Sequence, residues 1–346
     1  MHETLHRLLQ DRTPVDLDGW RRLWDDLEAG ALDRAEAMAL LASLTSRLPN
    51  IETLRNLVVS LRERSSPMTQ LLPGAVNVVG TGGGPRTFNI STAAAFVAAA
   101  AGVPVVKTGS RAYTSQYGSV DLLDRLGIRL TSSSEQTAES LDRFGIAFAG
   151  AVVYPRVLTQ LARLLVPVGM APFGRFLNGV GPLLAAVPVT AQLTGVSAAG
   201  SLDQLRVLAD DLPHEVWLVS NDAGADELLG FADNLICTNR GDVHRIRPGQ
   251  FTAGDGGLSD LRPVARRHEL IPHFLAVLAG DCGPAEAEAV CLNAAALAMA
   301  GGQAASWGQA VEAAYRVIRD GTARTLAEQL RESAGARPGT LEARGG

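Results

Sequence analysis

Residues 80–92 read Gly-Thr-Gly-Gly-Gly-Pro-Arg-Thr-Phe-Asn-Ile-Ser-Thr. A glycine-rich turn from an apolar run into a helix start can present backbone N–H groups to an anion. The helix dipole adds partial positive charge at the same place. Gly80, Thr81, Gly82 and Gly83 would make the turn, with Asn89, Ser91 and Thr92 after it. The spacing is neither that of the Walker phosphate loop nor that of a dinucleotide fingerprint. The alternative is a tight turn followed by an ordinary cap, Ser91 or Thr92 opening a helix through Ala93–Ala101.

Two further stretches carry matching chemistry. Lys107, Arg111, Thr114, Ser115 and Ser119 lie among Gly109 and Gly118, a set that suits a multiply charged phosphate. Read alone, it is also compatible with a solvated loop bearing surface cations. Asp222, Asp226 and Glu227 supply the opposite charge. Adjacent carboxylates can hold Mg2+ together with substrate phosphates, or can simply complement a helix N-terminus. A cradle, a basic hydroxyl loop and an acidic pair together point to a Mg2+–polyphosphate substrate.

These residues need elements to hold them. Residues 1–70 read as helices, with Leu23, Leu27, Leu32, Met38, Leu41 and Leu44 mostly three or four apart. Gly30 and Pro49 punctuate the pattern, and Asn50 before Ile51 marks a helix start. From about residue 74 strand-like and helix-like stretches alternate. "AVNVVG" is followed by a helix ending at Gly102, "VPVVKTG" by "GSVDLLDRLGI", then come "RLT", a helix over Ser134–Phe144, "IAFAGAVVY", another helix, and later "EVWLVSND". Such alternation predicts an α/β fold with a mostly parallel central sheet covered on both faces, its ligands at the strands' carboxyl ends. The expected division is a helical domain over 1–70, joined by part of 165–185, an α/β domain over 71–335, and a disordered tail over 336–346.

Composition narrows the partners. The chain has 346 residues, 47% of them hydrophobic, and a net charge of -5, without the basic surface that nucleic-acid binding needs. Its longest apolar run, Ala93–Val106, is interrupted by Gly102 and Pro104 and is too short for a bilayer. The amphipathic, charged start has no signal-peptide core. Cys237, Cys282 and Cys291 have no metal-like spacing and are odd in number, as expected of a reduced, cytoplasmic protein.

The motifs together resemble the anthranilate phosphoribosyltransferase family over roughly residues 20–330. They are "LWDDLEAGALDRAEAMALL", "GTGG…TFNIST", Lys107-x-Gly109-x-Arg111 with its following serines, "NGVGPL", "ADEL" and "LNAAA". The resemblance implies a small helical domain making a homodimer contact and a larger α/β domain. It implies transfer of a phosphoribosyl group from phosphoribosyl pyrophosphate (PRPP) to an aromatic amine, with Mg2+. By matching position, Gly80, Thr81, Gly82 and Gly83 would cradle pyrophosphate. Asn89, Ser91 and Thr92 would hold the phosphoribosyl and metal region, Ser91 as a metal ligand. Lys107 would meet phosphate, with Ser115 and Ser119 on the same donor-binding loop, and Asp226 and Glu227 would hold Mg2+. No strong general base is expected, because an aromatic amine is already neutral at pH 7.

The departures cluster where the acceptor would bind. The family's acid after "GTGG" is Gly84 here, and its Lys-His-Gly-Asn-Arg is Lys107-Thr108-Gly109-Ser110-Arg111. A family His aligns with Tyr154, and the Arg that pairs with anthranilate's carboxylate aligns with Gly169. Such a charge-assisted bond is worth about 1.5–3 kcal/mol. Thr108, Ser110, Tyr154 and Gly169 are thus the acceptor-side positions, with Arg156 or Arg175 as replacement cations. The reading is a phosphoribosyltransferase with an aromatic or heterocyclic acceptor other than anthranilate. The alternatives are an anthranilate enzyme with drifted motifs, a non-catalytic nucleotide-binding relative, and a phosphorolytic relative.

Overall fold

The computed structural model of the chain describes residues 1–10, 13–66, 68, 72–109, 118–168, 171–197 and 199–336. Four helices come first: α1 (Glu3–Gln10), α2 (Leu17–Glu28), α3 (Arg34–Ser46) and α4 (Ile51–Arg62). Asp16, Asp33 and Asn50 cap the last three by accepting from Gly19, Glu36 and Thr53 backbone N–H groups. Trp20 and Trp24 stack at 5.7 Å at the centre of this body, and Trp24 Nε1 donates to Ser60 Oγ (2.9 Å).

Strands and helices then alternate. They are β1 (Leu72–Gly80), α5 (Ile90–Ala100), β2 (Val105–Lys107), α6 (Ser119–Leu126), α7 (Ser134–Phe144), β3 (Ile146–Phe148), α8 (Arg156–Leu164), α9 (Gly174–Val180), β4 (Val189–Gly195), α10 (Ala199–Ala209) and β5 (Glu215–Asn221). A hairpin of β6 (Asn234–Thr238) and β7 (Val243–Ile246) precedes α11 (Leu270–Leu278), α12 (Pro284–Ala300), α13 (Trp307–Arg319) and α14 (Thr322–Ala336). The seven-stranded sheet has the order β3-β2-β1-β4-β5-β6-β7; its first five strands are parallel and the hairpin is antiparallel. No described helix is long and apolar enough to cross a membrane.

Two apolar layers cover the sheet, and β5 shows how. Val216 and Leu218 face the cluster built on the N-terminal helices, whereas Trp217 and Val219 face the cluster around α5 and α12. Alanine-rich α5 and α12 are buried along most of their length, which lets them pack closely on the sheet. The helical body is not confined to the first 70 residues. Val157 and Leu161 of α8, Phe176 and Val180 of α9, and Leu205 and Leu208 of α10 share its core.

The local expectations were met unevenly. "RLT" contributes only one bridge, Thr131 to Ala149, and β3 stops at Phe148 before a 3-10 turn over Ala151–Val153. The chain there is pressed against its neighbour, since a β-carbon on Gly150 would lie 2.9 Å from the Thr131 carbonyl oxygen. Helix α5 starts at Ile90 with Asn89 as its cap residue, and no side chain closes it. Ser91 and Thr92 therefore sit inside the first turn and are not the caps the sequence proposes. Residue 336 still belongs to α14, and 337–346 lie outside the described residues.

His214 lies just before β5, buried, with neither ring nitrogen hydrogen-bonded. Burial, and then Arg62, push its pKa down from 6.5 to about 4. Between those values the unfolded chain binds a proton that the native state excludes, so stability falls as pH drops through this window. His214→Leu should flatten that acid limb. The loss of urea-unfolding free energy between pH 7 and pH 5 should shrink by on the order of 1 kcal/mol.

Candidate active site

A cavity of about 760 Å³ opens at the carboxyl ends of β1 and β2. Gly82 and Gly83 on its wall have φ of +66° and +81°, a left-handed backbone that glycine adopts without a steric penalty. Gly80 and Gly195 are register partners at the ends of β1 and β4. A β-carbon on Gly195 would meet the Asp226 carbonyl oxygen at 1.6 Å, and one on Gly80 would meet Asp226 Oδ2 at 2.6 Å. The acidic segment crosses directly over this glycine pair. Asp226 Oδ2 accepts from the Gly82 N–H (2.9 Å), which fixes cradle and carboxylate together.

No helix follows Asp222, so these acids are not dipole partners at a helix start. Asn221 Nδ2 donates to the carbonyls of Ala225 (3.2 Å) and Glu227 (2.6 Å), and its Oδ1 accepts from the Ala225 N–H (3.1 Å). From below, buried Asn293 on α12 accepts from the Leu228 N–H (3.0 Å) and donates to the Leu228 carbonyl (2.8 Å). That contact gives the "LNAAA" motif its physical task.

Charge is concentrated at the inner end. Lys107 is the only lysine in the chain. It is buried, and its Nζ donates to Ser91 Oγ (3.2 Å). Burial lowers its pKa to about 8, against the pull of Glu227 and Asp226. Burial, and then Asp226, push the Glu227 carboxyl well above the usual range. Glu227 Oε2 and Thr92 Oγ1 are buried without a hydrogen-bond partner. An orphaned carboxylate oxygen beside a second carboxylate fits a hard divalent cation. Among the described residues no group of three or more His, Cys, Asp or Glu is placed to hold a metal ion. Asn89 and Ser119 also line the cavity, Ser119 at the first position of α6.

The outer end is largely apolar: Leu130, Tyr154, Leu158, Ala162, Leu177 and Leu184 line it. Thr108 is on the wall, yet its hydroxyl turns inward and donates to Asn77 Oδ1 (3.0 Å). Asn77 in turn donates to Gln192 Oε1 (2.8 Å), so this hydroxyl belongs to a buried ladder across the sheet and is not offered to an acceptor. Ser110, Ser115 and Gly169 lie outside the described residues, as do Arg111, Thr114 and the side chain of Arg175. Arg156 is exposed on α8 and is not part of the cavity wall.

Two features around the cradle were missed at the sequence level. Arg86 is an exposed cation facing the cavity; its signal was its place inside the glycine loop. Ser197 Oγ donates to the Gly82 carbonyl (2.7 Å) from the turn after β4, a long-range contact with no local pattern. Gly84 also has a steric correlate. A β-carbon there would meet the Gly224 carbonyl oxygen and Ser197 Cβ, both at 3.0 Å, so the space beneath the family's acid is filled.

A glycine cradle beneath paired carboxylates on a mostly parallel sheet is the architecture of a glycosyl-group transferase, and residues 72–324 match the glycosyl transferase family, a/b domain. The chain is 34% identical over 315 residues to the anthranilate phosphoribosyltransferase of Methylobacterium nodulans, covering 90% of this chain and 92% of that one. It is 34% identical over 326 residues to that of Thermomicrobium roseum, covering 92% of each. The solved anthranilate phosphoribosyltransferase of Thermus thermophilus superposes with a TM-score of 0.82 at 27% identity, over 97% of this chain and all of that one. The Saccharomyces cerevisiae enzyme in complex with PRPP and Mg shares the fold, with a TM-score of 0.76 at 20% identity over 93% of each chain. The chain belongs to the anthranilate phosphoribosyltransferase family and is a phosphoribosyltransferase.

The electrostatics are directly testable. Protein labelled with carbon-13 lysine should show one lysine Cε resonance, with a titration midpoint at about 8 rather than 10.5. Lys107 is therefore charged at neutral pH and loses its charge as pH rises through about 8, so pyrophosphate should raise the midpoint. Glu227 has a raised native pKa, so its contribution to stability is lost as pH rises. At pH 8 the metal-free Glu227→Gln variant should exceed the wild type in stability, read as a higher urea-unfolding midpoint. Mg2+ with pyrophosphate should raise the thermal midpoint of the wild type only.

Proposed function

We propose that this phosphoribosyltransferase takes its phosphoribosyl group from PRPP, with Mg2+, and passes it to an aromatic or heterocyclic acceptor other than anthranilate. The observation that carries the donor half is the Gly80–Gly83 cradle locked to Asp226, with the unpartnered Oε2 of Glu227 and buried Lys107 beside it. Ser91, Asp226 and Glu227 would hold the cation, which would supply charge neutralisation on the departing pyrophosphate. Cradle N–H groups beyond those of Thr81 and Gly82, which are held by Gly195 and Asp226, would hold that pyrophosphate where negative charge develops. Lys107, charged at neutral pH, would meet a phosphate, with Asn89, Thr92, Ser115 and Ser119 around the ribosyl phosphate. An aromatic amine needs chiefly positioning against C1 of the ribose, so no strong base is required.

The acceptor half rests on Tyr154, Ser110 and Gly169, which stand where the family carries His, Asn and the carboxylate-binding Arg. Tyr154 on an apolar wall favours a neutral or larger ring over a carboxylate. The second reading, anthranilate itself, is favoured by the 34% identity to enzymes of that name. The same reading gives a cytoplasmic homodimer. Exposed Leu9, Ile51, Val166 and Val168 on the helical body support a self-contact there.

One reaction separates the readings. Purified protein should bind PRPP with Mg2+ by calorimetry, yet leave anthranilate fluorescence unchanged when both substrates are present. Rapid loss of that fluorescence would establish anthranilate as the acceptor. Absence of PRPP binding at millimolar donor would overturn the donor assignment.

A further inference from the structure

Asn178 stands where the donor and acceptor halves of the cavity meet. It lies on α9 beside Leu177 of the apolar wall, while Phe176 and Val180 of the same helix are buried in the helical body. In the amide orientation that satisfies both of its ends, Asn178 Nδ2 donates to the Thr81 carbonyl (3.2 Å) and to the Gly174 carbonyl (3.1 Å). The first bond leaves the helix and grips the cradle.

Its effect follows from the planarity of the peptide unit. In a trans peptide the carbonyl and the following N–H point in opposite directions. Asn178 holds the Thr81 carbonyl, so the Gly82 N–H is turned the other way, where Asp226 accepts it (2.9 Å). Ser197 holds the Gly82 carbonyl (2.7 Å), so the Gly83 N–H is turned away from Ser197. Both of these glycines have positive φ and lack the steric limits that would hold other residues in place. The cradle's orientation therefore depends on side chains from outside it, one of them on the helix that carries the acceptor wall.

We propose that Asn178 is a positioning residue: it sets the cradle's peptide orientation from α9, so that donor affinity depends on the helix that also lines the acceptor pocket. The inference rests on the PRPP reading above. Coupling of this kind is reciprocal, so a group that shifts α9 on the acceptor side must also change donor affinity.

The test is calorimetric binding of PRPP with Mg2+ to the wild type and to three variants. Asn178→Asp keeps the shape and loses the donor, Asn178→Ala loses both, and Asn178→Gln keeps the donor on a longer arm. The Asp and Ala variants should bind about 10- to 100-fold more weakly, because a hydrogen bond is lost and a carbonyl is left unheld. The Gln variant should recover part of the loss. Ligand-free thermal midpoints should stay within a few degrees of the wild type, which a purely structural role would not allow. Equal affinities across the series would overturn the inference, as would losses matched by collapsed midpoints in both Asp and Ala variants. Failure of the wild type itself to bind PRPP would instead overturn the donor reading, and the inference with it.

Discussion

Gly80 and Gly195 stand side by side at the ends of two parallel strands, and neither has room for a β-carbon. That shared vacancy lets the segment through Asp226 and Glu227 lie flat across the strand ends. Everything charged at the site depends on this crossing. Asp226 can reach the Gly82 N–H only because it lies so low, and the carboxylates come within the field of Lys107 for the same reason. Asn221 and Asn293 then hold the segment through its own peptide groups, so that Asp226 is tied only to the cradle and Glu227 Oε2 is left without a partner. The sheet supplies the platform, and the glycines decide how close an acidic loop can come to it.

Closeness has an electrostatic cost. A buried acid and a buried amine are held without full pairing, and the pKa of each moves toward its neutral form. Desolvation of such groups costs several kcal/mol per ion unless a partner compensates. A bound cation and a phosphate would supply those partners, so the site is least comfortable when empty. This also bears on the single lysine. The chain uses arginine for every other Lys/Arg position. A guanidinium is broad and effectively always charged, whereas an ammonium is compact and can shed its proton when buried. Only the buried position beside Ser91 keeps the lysine.

Much of this was legible in one sequence where the signal is local. Glycines with positive φ, the strand before them, the helix after them and the adjacent acids all announce themselves by spacing. The same local reasoning failed where a long-range contact decided the outcome. Ser91 and Thr92 look like helix caps, but Asn89 takes that place; Ser91 instead turns to Lys107 on the neighbouring strand. Thr108 looks like a pocket hydroxyl, but Asn77 on β1 draws it inward. Ser197 and Asn178 are far from the cradle in sequence and have no motif of their own.

The two halves of the cavity differ in what builds them. The donor end is made mainly of backbone, set by glycines, strand ends and buried amides, where almost any added atom collides. Such a surface tolerates little substitution, which accounts for how readily its motif is read. The outer end is made of side chains carried by α8, α9 and the turn before them, on helices anchored in a separate core. Tyr154 packs against side chains, both those of the helical body and those of Val106, Ala147 and Val189 on the sheet. A cavity built in this way keeps what it holds by peptide geometry and is free to alter what it holds by side chains. Identity in the cradle therefore says much about the phosphate it accommodates and little about the ring that meets it.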